Sequence, residues 1–248
     1  MCQYCPPTSQ ARSAPSRRLV LAGLAAAALT PAGRLLAAPP PTADAPNAIS
    51  GDAALERLMR GNARYAANRI DVRDFSAGRA ARSRAQYPIV AVLGCADSRV
   101  APEFAFDQGP GEVFVVRVAG NVLDSDGTAS LEYATQVLGV PLIMVLGHTA
   151  CGAVSAAIKA SAPGATPLPG HLPGLVAKIM PAVEATKSVP EADRLTAAIT
   201  ENVRLTVKQV SDATPVLSAA VSSGKVKVAG GVYDLPTGHV RLLSGSHA

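Results

Sequence analysis

Two short segments of the chain combine thiol, imidazole, carboxylate and guanidinium side chains at close spacing. In the first segment, Cys95, Asp97 and Arg99 alternate directly after an apolar run. In the second, His148 and Cys151 stand three positions apart, again directly after an apolar run. Two thiolates and one imidazole make three protein ligands with a fourth position open, which is the pattern of a catalytic rather than a structural zinc site.

The apolar runs predict the sheet that must bring these two segments together. Short β-branched runs alternate with helical patterns, which is typical of a parallel sheet covered on both faces and of the α/β class. The strands are expected at 89–93, 113–118, 142–146 and 225–232, with a last short strand at 240–243, and the helices at 128–138, 152–160 and 191–211. Ligands bind outside the carboxyl ends of the strands in such sheets, so both segments are expected at one crevice.

The charge of the chain is concentrated ahead of this pattern. The 248 residues have a formal net charge of +5, but residues 1–38 contain four arginines and no acidic residue. The rest therefore holds 23 − 4 = 19 basic against 18 acidic residues and is nearly neutral. An arginine-rich stretch up to Gln86 is interpreted as a solvated face or a subunit contact. With no Trp and no basic stripe, the sequence argues against nucleic-acid binding.

The amino terminus predicts an export signal. Arg17 and Arg18 precede a weakly apolar run at 19–29, which is too short to span a bilayer, since that needs about 20 residues. The pattern resembles a twin-arginine signal, which exports folded proteins, so we expect a bacterial periplasmic or secreted protein without stable membrane insertion. A basic leader without an export role is the alternative. Residues 1–38 are thus predicted as the signal, 39–51 as a linker that does not pack, and 52–248 as one catalytic domain whose first helix is capped by Asp52.

A disulfide is the other use that two thiols could have. If the leader is removed, Cys95 and Cys151 are the two remaining cysteines, and exported proteins with two cysteines usually form a disulfide. A disulfide gives no reason for His148 beside Cys151, or for Asp97 and Arg99 beside Cys95. We therefore favour the zinc site and keep a disulfide-linked, non-catalytic exported protein as the alternative.

These motifs, taken in order, resemble the β-class carbonic anhydrases. Residues 95–99 (CADSR) are similar to the family motif C-x-D-x-R, and residues 148–152 (HTACG) to its H-x-x-C-G motif. The blocks at 110–114 and 117–121 also fit, and the resemblance extends strongly from about residue 86 to 157 and weakly to Gly231. It implies a mainly parallel four-stranded sheet with flanking helices, a homodimer or a multiple of dimers, and one zinc ion per subunit.

The resemblance implies the reversible hydration of CO2 to bicarbonate and a proton, with zinc held by Cys95, His148 and Cys151. Asp97 would accept a hydrogen bond from the attacking water or, in a resting form known in the family, would be the fourth zinc ligand. Arg99 would pair with Asp97 and keep it ionised and off the metal. Related zinc hydrolases of COS or CS2 share these ligands and are the alternative activity.

The resemblance also implies a pocket for CO2 or bicarbonate, and a branch of the family. Val92 stands where one branch carries a Trp, so the chain resembles the other, plant-like branch. For Phe114 and Tyr133, core packing is the simpler alternative. The resemblance implies that the amide of Gln86 reaches the partner's site across the dimer interface. The residues assigned to the pocket are Gln86, Phe114, Ala119, Tyr133 and Gly152.

Overall fold

Five strands form one sheet in the computed structural model, which describes residues 45–247. In chain order the strands are β1 (Val90–Gly94), β2 (Val113–Arg117), β3 (Leu142–His148), β4 (Lys227–Tyr233) and β5 (Val240–His247). The order across the sheet is β2-β1-β3-β4-β5, with β1 to β4 parallel and β5 antiparallel to β4. The α/β class and the mainly parallel sheet are confirmed.

The expected number of four strands is wrong. The segment after Gly238 forms a fifth strand, longer than the 240–243 that the apolar pattern predicts, and it joins the sheet edge beside β4. Residues 234–239 connect the two strands, and a connection this short can join antiparallel neighbours, whereas parallel strands need a crossover of about a dozen or more residues. Gly238 has a φ of 74°, a left-handed conformation that glycine adopts without strain.

Helices cover both faces of the sheet. They are α1 (Gly51–Ala66), α2 (Arg79–Arg82), α3 (Pro102–Ala105), α4 (Ser125–Gln136), α5 (Gly152–Ala160), α6 (Leu172–Ala185), α7 (Glu191–Asp212) and α8 (Val216–Ser222). A single 3₁₀ turn, Ala119–Asn121, lies between β2 and α4. The helices expected at 128–138, 152–160 and 191–211 correspond to α4, α5 and α7. The sequence analysis missed α2, α6 and α8.

The core consists of two apolar layers, one on each face of the sheet. Every residue of β1 and β3 is buried, as expected for central strands covered on both sides. Helices α4 to α8 pack on one face, while α1 and α3 pack on the other. Helix α7 contacts both β3 and β4 with a buried stripe of seven residues, Ala198, Ile199, Asn202, Val203, Thr206, Val207 and Val210.

Helix α1 begins two residues earlier than the sequence predicts. Ser50, in an extended conformation, accepts a hydrogen bond at its hydroxyl from the Ala53 N–H at 3.1 Å, so Ser50 rather than Asp52 is the cap. Just before it, Asn47 is buried and donates to the carbonyl oxygens of Pro88 (3.2 Å) and residue 138 (2.7 Å). The end of the predicted linker therefore packs on the domain, because its amide satisfies backbone groups there.

The leader residues, including Arg17 and Arg18, lie outside the described residues. Within 45–247, no helix has both the length and the apolar character needed to cross a membrane.

The segment between α1 and β1, residues 67–88, is named here the arm. Ion pairs attach it to the body, because Arg73 of the arm and Arg64 of α1 both bind the buried carboxylate of Asp107. Four large apolar side chains of the arm are exposed, namely Ile70, Val72, Phe75 and Tyr87. The sequence predicts a solvated face or a subunit contact for the arginine-rich stretch, but Arg64 and Arg73 instead bind a buried carboxylate of their own chain.

Candidate metal centre and active site

The two chemical segments meet at the carboxyl ends of β1 and β3. These strands are parallel neighbours with Gly94 paired to Leu146, which places Cys95 beside the end of β3. His148 is the last residue of β3, and Cys151 caps the amino terminus of α5. The sheet thus brings the predicted ligands to one crevice, as the strand-end argument requires.

The three ligand side chains have the separations that one zinc ion needs. Their ligand atoms all lie within 4.8 Å of one another, and the three residues are buried. The Sγ atoms of Cys95 and Cys151 are 4.0 Å apart, close to the ~3.8 Å of two sulfurs bound tetrahedrally at about 2.3 Å from zinc. Both cysteines are free, which argues against the disulfide alternative, since a disulfide requires S–S contact at about 2.05 Å.

The imidazole of His148 is oriented for metal binding. Its Nδ1 lies 2.9 Å from the carbonyl oxygen of Thr149, to which it donates in the tautomer that leaves Nε2 free. Nε2 is buried and has no hydrogen-bond partner in the described residues. A buried nitrogen without a partner is costly, and an ion between it and the two sulfurs removes that cost.

The two thiols cannot easily be charged together without a cation. The hydrogen bond from Cys151 lowers the pKa of Cys95 to about 4. The hydrogen bond to Cys95, with burial, raises the pKa of Cys151 well above its ordinary range. Burial lowers the pKa of His148, but the neighbouring Cys95 thiolate raises it more. A divalent cation at the centre of the three groups resolves this conflict, because it stabilises both thiolates and a neutral imidazole.

Asp97 and Arg99 form a bidentate pair at the mouth of the site. Arg99 donates from Nε to Oδ1 at 2.9 Å and from Nη2 to Oδ2 at 2.7 Å, and its backbone N–H adds a third bond at 3.0 Å. The side-chain hydrogen bond from Arg99 holds the pKa of Asp97 well below its usual value. Oδ2 of Asp97 is 3.8 Å from Nε2 of His148, so an ionised carboxylate faces the centre of the ligand cluster.

Sequence reasoning missed several residues that hold this arrangement in place. Arg117 donates to the backbone carbonyls of Cys95 at 2.9 Å and Asp97 at 2.5 Å. The Leu235 N–H donates to Oγ1 of Thr149 at 3.0 Å, which ties the ligand turn to the segment just after β4. The resemblance covers the block that contains Arg117, which was the available signal for it.

A third missed residue is Asn202 on α7. It is a buried amide between the apolar residues Ile199 and Val203 on the core-facing side of the helix. A polar residue on an apolar helix face was the available signal, because buried amides need partners. Its side chain contacts the turn at 119–121.

The predicted pocket residues are only partly brought together. The rings of Phe114 and Tyr133 pack with their centroids 6.4 Å apart, and Tyr133 keeps 46% of its surface exposed, which core packing does not explain. Ala119 begins the turn beside Cys95. Gly152 begins α5 with open space where a Cβ would stand. Gln86 is exposed on the arm before β1, and Phe114 pairs with Ala91 near the start of that strand, so both lie toward the amino ends of the strands, whereas Ala119 and Gly152 follow the carboxyl ends.

Comparisons with known proteins agree with this site. Residues 90–240 match the family described as carbonic anhydrase. The chain is 38% identical over 193 residues to a carbonic anhydrase of Mycolicibacterium smegmatis, covering 77% of this chain and 93% of the relative. It is 39% identical over 196 residues to carbonic anhydrase 2 of Mycobacterium tuberculosis, covering 77% of this chain and 91% of the relative.

Solved structures agree as well. A Coccomyxa β-carbonic anhydrase in complex with acetazolamide is 32% identical, with a TM-score of 0.61 over 68% of this chain and 77% of that one. One of two tetrameric β-carbonic anhydrases from Sordaria macrospora is 25% identical, with a TM-score of 0.62 over 69% of this chain and 88% of that one. The matched region contains the two ligand motifs and the strands that carry them. The chain therefore belongs to the β-carbonic anhydrase family.

Proposed function

We propose that this protein catalyses the reversible hydration of CO2 to bicarbonate and a proton, with one zinc ion held by Cys95, His148 and Cys151. The observation that carries the proposal is the buried cluster of these three residues beside the paired Asp97 and Arg99. Zinc in such a site supplies a Lewis acid that makes water acidic enough to act as a nucleophile near neutral pH.

Asp97 orients the attacking water. Because Arg99 keeps it ionised, the carboxylate can only accept hydrogen bonds, so it takes one O–H of the water and leaves a lone pair to face CO2. Both carboxylate oxygens are held by Arg99. This pairing favours the form in which Asp97 stays off the metal over the form in which it is the fourth ligand.

The pocket for CO2 is proposed to lie beside Phe114, Tyr133, Ala119 and Gly152. The exposure of 46% of Tyr133 and the open space over Gly152 support this placement. Val92, which is fully buried in β1, supports assignment to the plant-like branch, since the residue there is not a Trp.

Gln86 is proposed to reach the active site of a partner subunit in a homodimer or a multiple of dimers. It precedes β1, whereas Cys95 follows the same strand, and the five residues of β1 alone span about 16 Å. Its own metal site therefore lies at the opposite end of β1. The exposed apolar residues of the arm support a subunit contact there, and in a two-fold dimer each arm serves the other subunit.

The activity is tested by giving CO2, COS and CS2 to one zinc-quantified preparation. We expect about one zinc per chain with sulfur and nitrogen scattering in X-ray absorption, and stopped-flow CO2 hydration well above that of Cys151→Ala. Turnover of COS or CS2 without CO2 hydration would favour the alternative zinc hydrolase. A preparation without Zn–S scattering would overturn the proposal.

A mixed dimer tests the shared site. Cys151→Ala loses zinc but keeps Gln86, while Gln86→Ala keeps zinc but lacks the amide. If Gln86 acts across the interface, the mixed dimer contains one complete site and recovers activity that neither parent has. With subunit exchange verified and both parents impaired, a failure to recover activity would show that Gln86 does not act across the interface.

We propose export in the folded state by a twin-arginine route to a bacterial periplasm or the medium. The support is the pair Arg17 and Arg18 before a weakly apolar run. Folding before export would let zinc occupy both thiolates before they could be oxidised. Replacing both arginines by lysine should leave the protein in the cytoplasm, as measured by fractionation. Unchanged recovery outside the cytoplasm would mean another route.

A further inference from the structure

We infer that Asn202 of α7 is a positioning residue for the zinc site, because it holds the turn whose Gly120 N–H donates to the Cys95 sulfur. The inference rests on the zinc site of the proposed function, but not on the reaction catalysed there. It connects a helix outside both ligand motifs to one of the metal ligands.

A backbone hydrogen bond orients the sulfur of the ligand Cys95. The Gly120 N–H donates to Sγ of Cys95 at 3.2 Å. A donor on a thiolate fixes the direction of the sulfur and withdraws negative charge from it. A metal bound by this sulfur therefore keeps more of its own positive charge, which is the property that makes it a useful Lewis acid.

The turn that presents this N–H has an unusual backbone conformation. Gly120 and Asn121 both have positive φ angles, of 73° and 44°. A Cβ on Gly120 would lie 2.7 Å from Cδ1 of Ile179 and 3.2 Å from Cβ of Ala153, so the turn fits closely between α6 and α5. Consecutive left-handed residues are sparsely populated and persist only where surrounding contacts hold them.

A side chain of α7 holds this turn in place. Nδ2 of Asn202 donates to the carbonyl oxygen of Gly120 at 2.8 Å, and the residue is only 3% exposed. This bond fixes the carbonyl of the same residue whose N–H meets the sulfur, and so restrains the backbone angles that relate the two groups. A buried amide among apolar neighbours is retained at a cost unless it is bonded, and Gly120 is the partner that satisfies it.

The test compares variants on the same face of α7. Asn202→Leu keeps similar volume but removes the donor, and Val207→Ala is the packing control one to two turns away. Zinc affinity is measured by competition with a chromophoric chelator, and the sulfur-to-metal absorption band is recorded for the cobalt-substituted proteins. We expect Asn202→Leu to weaken zinc binding by about 10- to 100-fold and to shift the cobalt band.

Val207→Ala should lower thermal stability while leaving zinc affinity and the cobalt band unchanged. If Asn202→Leu does not fold, Asn202→Ser, which is too short to bridge to Gly120, is judged by the same two measurements. Wild-type zinc affinity and an unshifted band in the folded variant would overturn the inference. Failure of the proposed function is distinguishable, because zinc-loaded wild-type protein would then lack CO2 hydration whatever the variants bind.

Discussion

Asp107→Asn tests whether charge, rather than apolar packing, holds the arm on the domain. The Asp107 side chain is only 1% exposed and binds Arg73 at Oδ1 and Arg64 at Oδ2, the latter at 2.6 Å. The Asp71 N–H, at the start of the arm, donates to Oδ2 at 3.2 Å. Asn keeps the shape of the side chain and also tolerates the φ of 46° at this position, so the variant removes the charge with little change in backbone preference.

The expected loss is about 3 kcal/mol in the free energy of unfolding. Each hydrogen bond to a charged group contributes about 1.5–3 kcal/mol, and breaking a buried pair from one side costs about 3–5 kcal/mol. Arg64 and Arg73 keep 35% and 25% of their side-chain surface exposed, so water partly stabilises their charges after the substitution. The expected loss therefore lies at the low end of the range for a buried pair. A loss of this size lowers the folded-to-unfolded ratio by roughly 100-fold.

The assay is urea unfolding of zinc-loaded protein at fixed protein concentration and several pH values. Burial raises the pKa of Asp107, but the hydrogen bonds from Arg73 and Arg64 lower it more. A lowered native pKa means that the stabilisation is fully present above the unfolded pKa of about 3.9 and is lost as the pH falls through the native value. The difference between wild type and variant should therefore be constant near neutrality and shrink below about pH 4.

Asp212→Asn, in the exposed pair with Lys208, is the matched control and should change stability by less than about 0.5 kcal/mol. The reasoning about Asp107 is refuted if its variant loses less than about 1 kcal/mol, or if the difference from wild type persists unchanged in acid.

Three further substitutions probe the site. Arg99→Ala should keep its zinc but lose about 10- to 100-fold in CO2 hydration by stopped flow, because Asp97 is no longer held. Arg99→Lys should recover only part of the activity, since one ammonium group cannot bind both carboxylate oxygens in a fork. Wild-type rates in the alanine variant would show that the pair is only structural. Thr149→Val should lower the free energy of unfolding in urea by about 1–3 kcal/mol, because it leaves the Leu235 N–H unpaired. Thr149→Ser keeps the hydroxyl and should not lower it. Equal losses in both variants would exclude this hydrogen bond as the cause. Gly147→Ala places a Cβ 2.5 Å from Cγ2 of Val203 and should lower the free energy of unfolding by about 1–3 kcal/mol. The double variant with Val203→Ala should recover part of this stability, because the clash is removed. Strictly additive losses would contradict the contact.

The ligands could be predicted from the sequence because the information that specifies them is local. Cys95 and His148 stand at the ends of apolar runs, and the carboxyl ends of neighbouring parallel strands must meet. The disagreements have local causes too. In α6, Pro173 lies in the first turn and Pro181 inside the helix, and both obscure the helical pattern, although a first-turn proline loses no hydrogen bond.

The contacts that orient the ligands could not be predicted, because they join residues far apart in the chain. Asn202 meets Gly120 across 82 positions, and Thr149 meets Leu235 across 86. Neither contact follows from a period or a motif. Each depends on which helix packs over which strand, and the apolar stripe of α7 fits either face of a sheet equally well.

Two of the four non-glycine residues with positive φ in the described part of the chain, Asn121 and Ala150, lie beside the ligands. Gly120 and Asn121 border Cys95, and Ala150, with a φ of 54°, lies between His148 and Cys151. A left-handed non-glycine residue costs on the order of 1–3 kcal/mol and persists only where its surroundings over-determine it. The isolated motifs therefore do not favour the geometry that brings their sulfurs and imidazole together. The sheet, α7 and the end of β4 stabilise that geometry, which explains why the ligands can be read from short segments while their arrangement requires the whole domain.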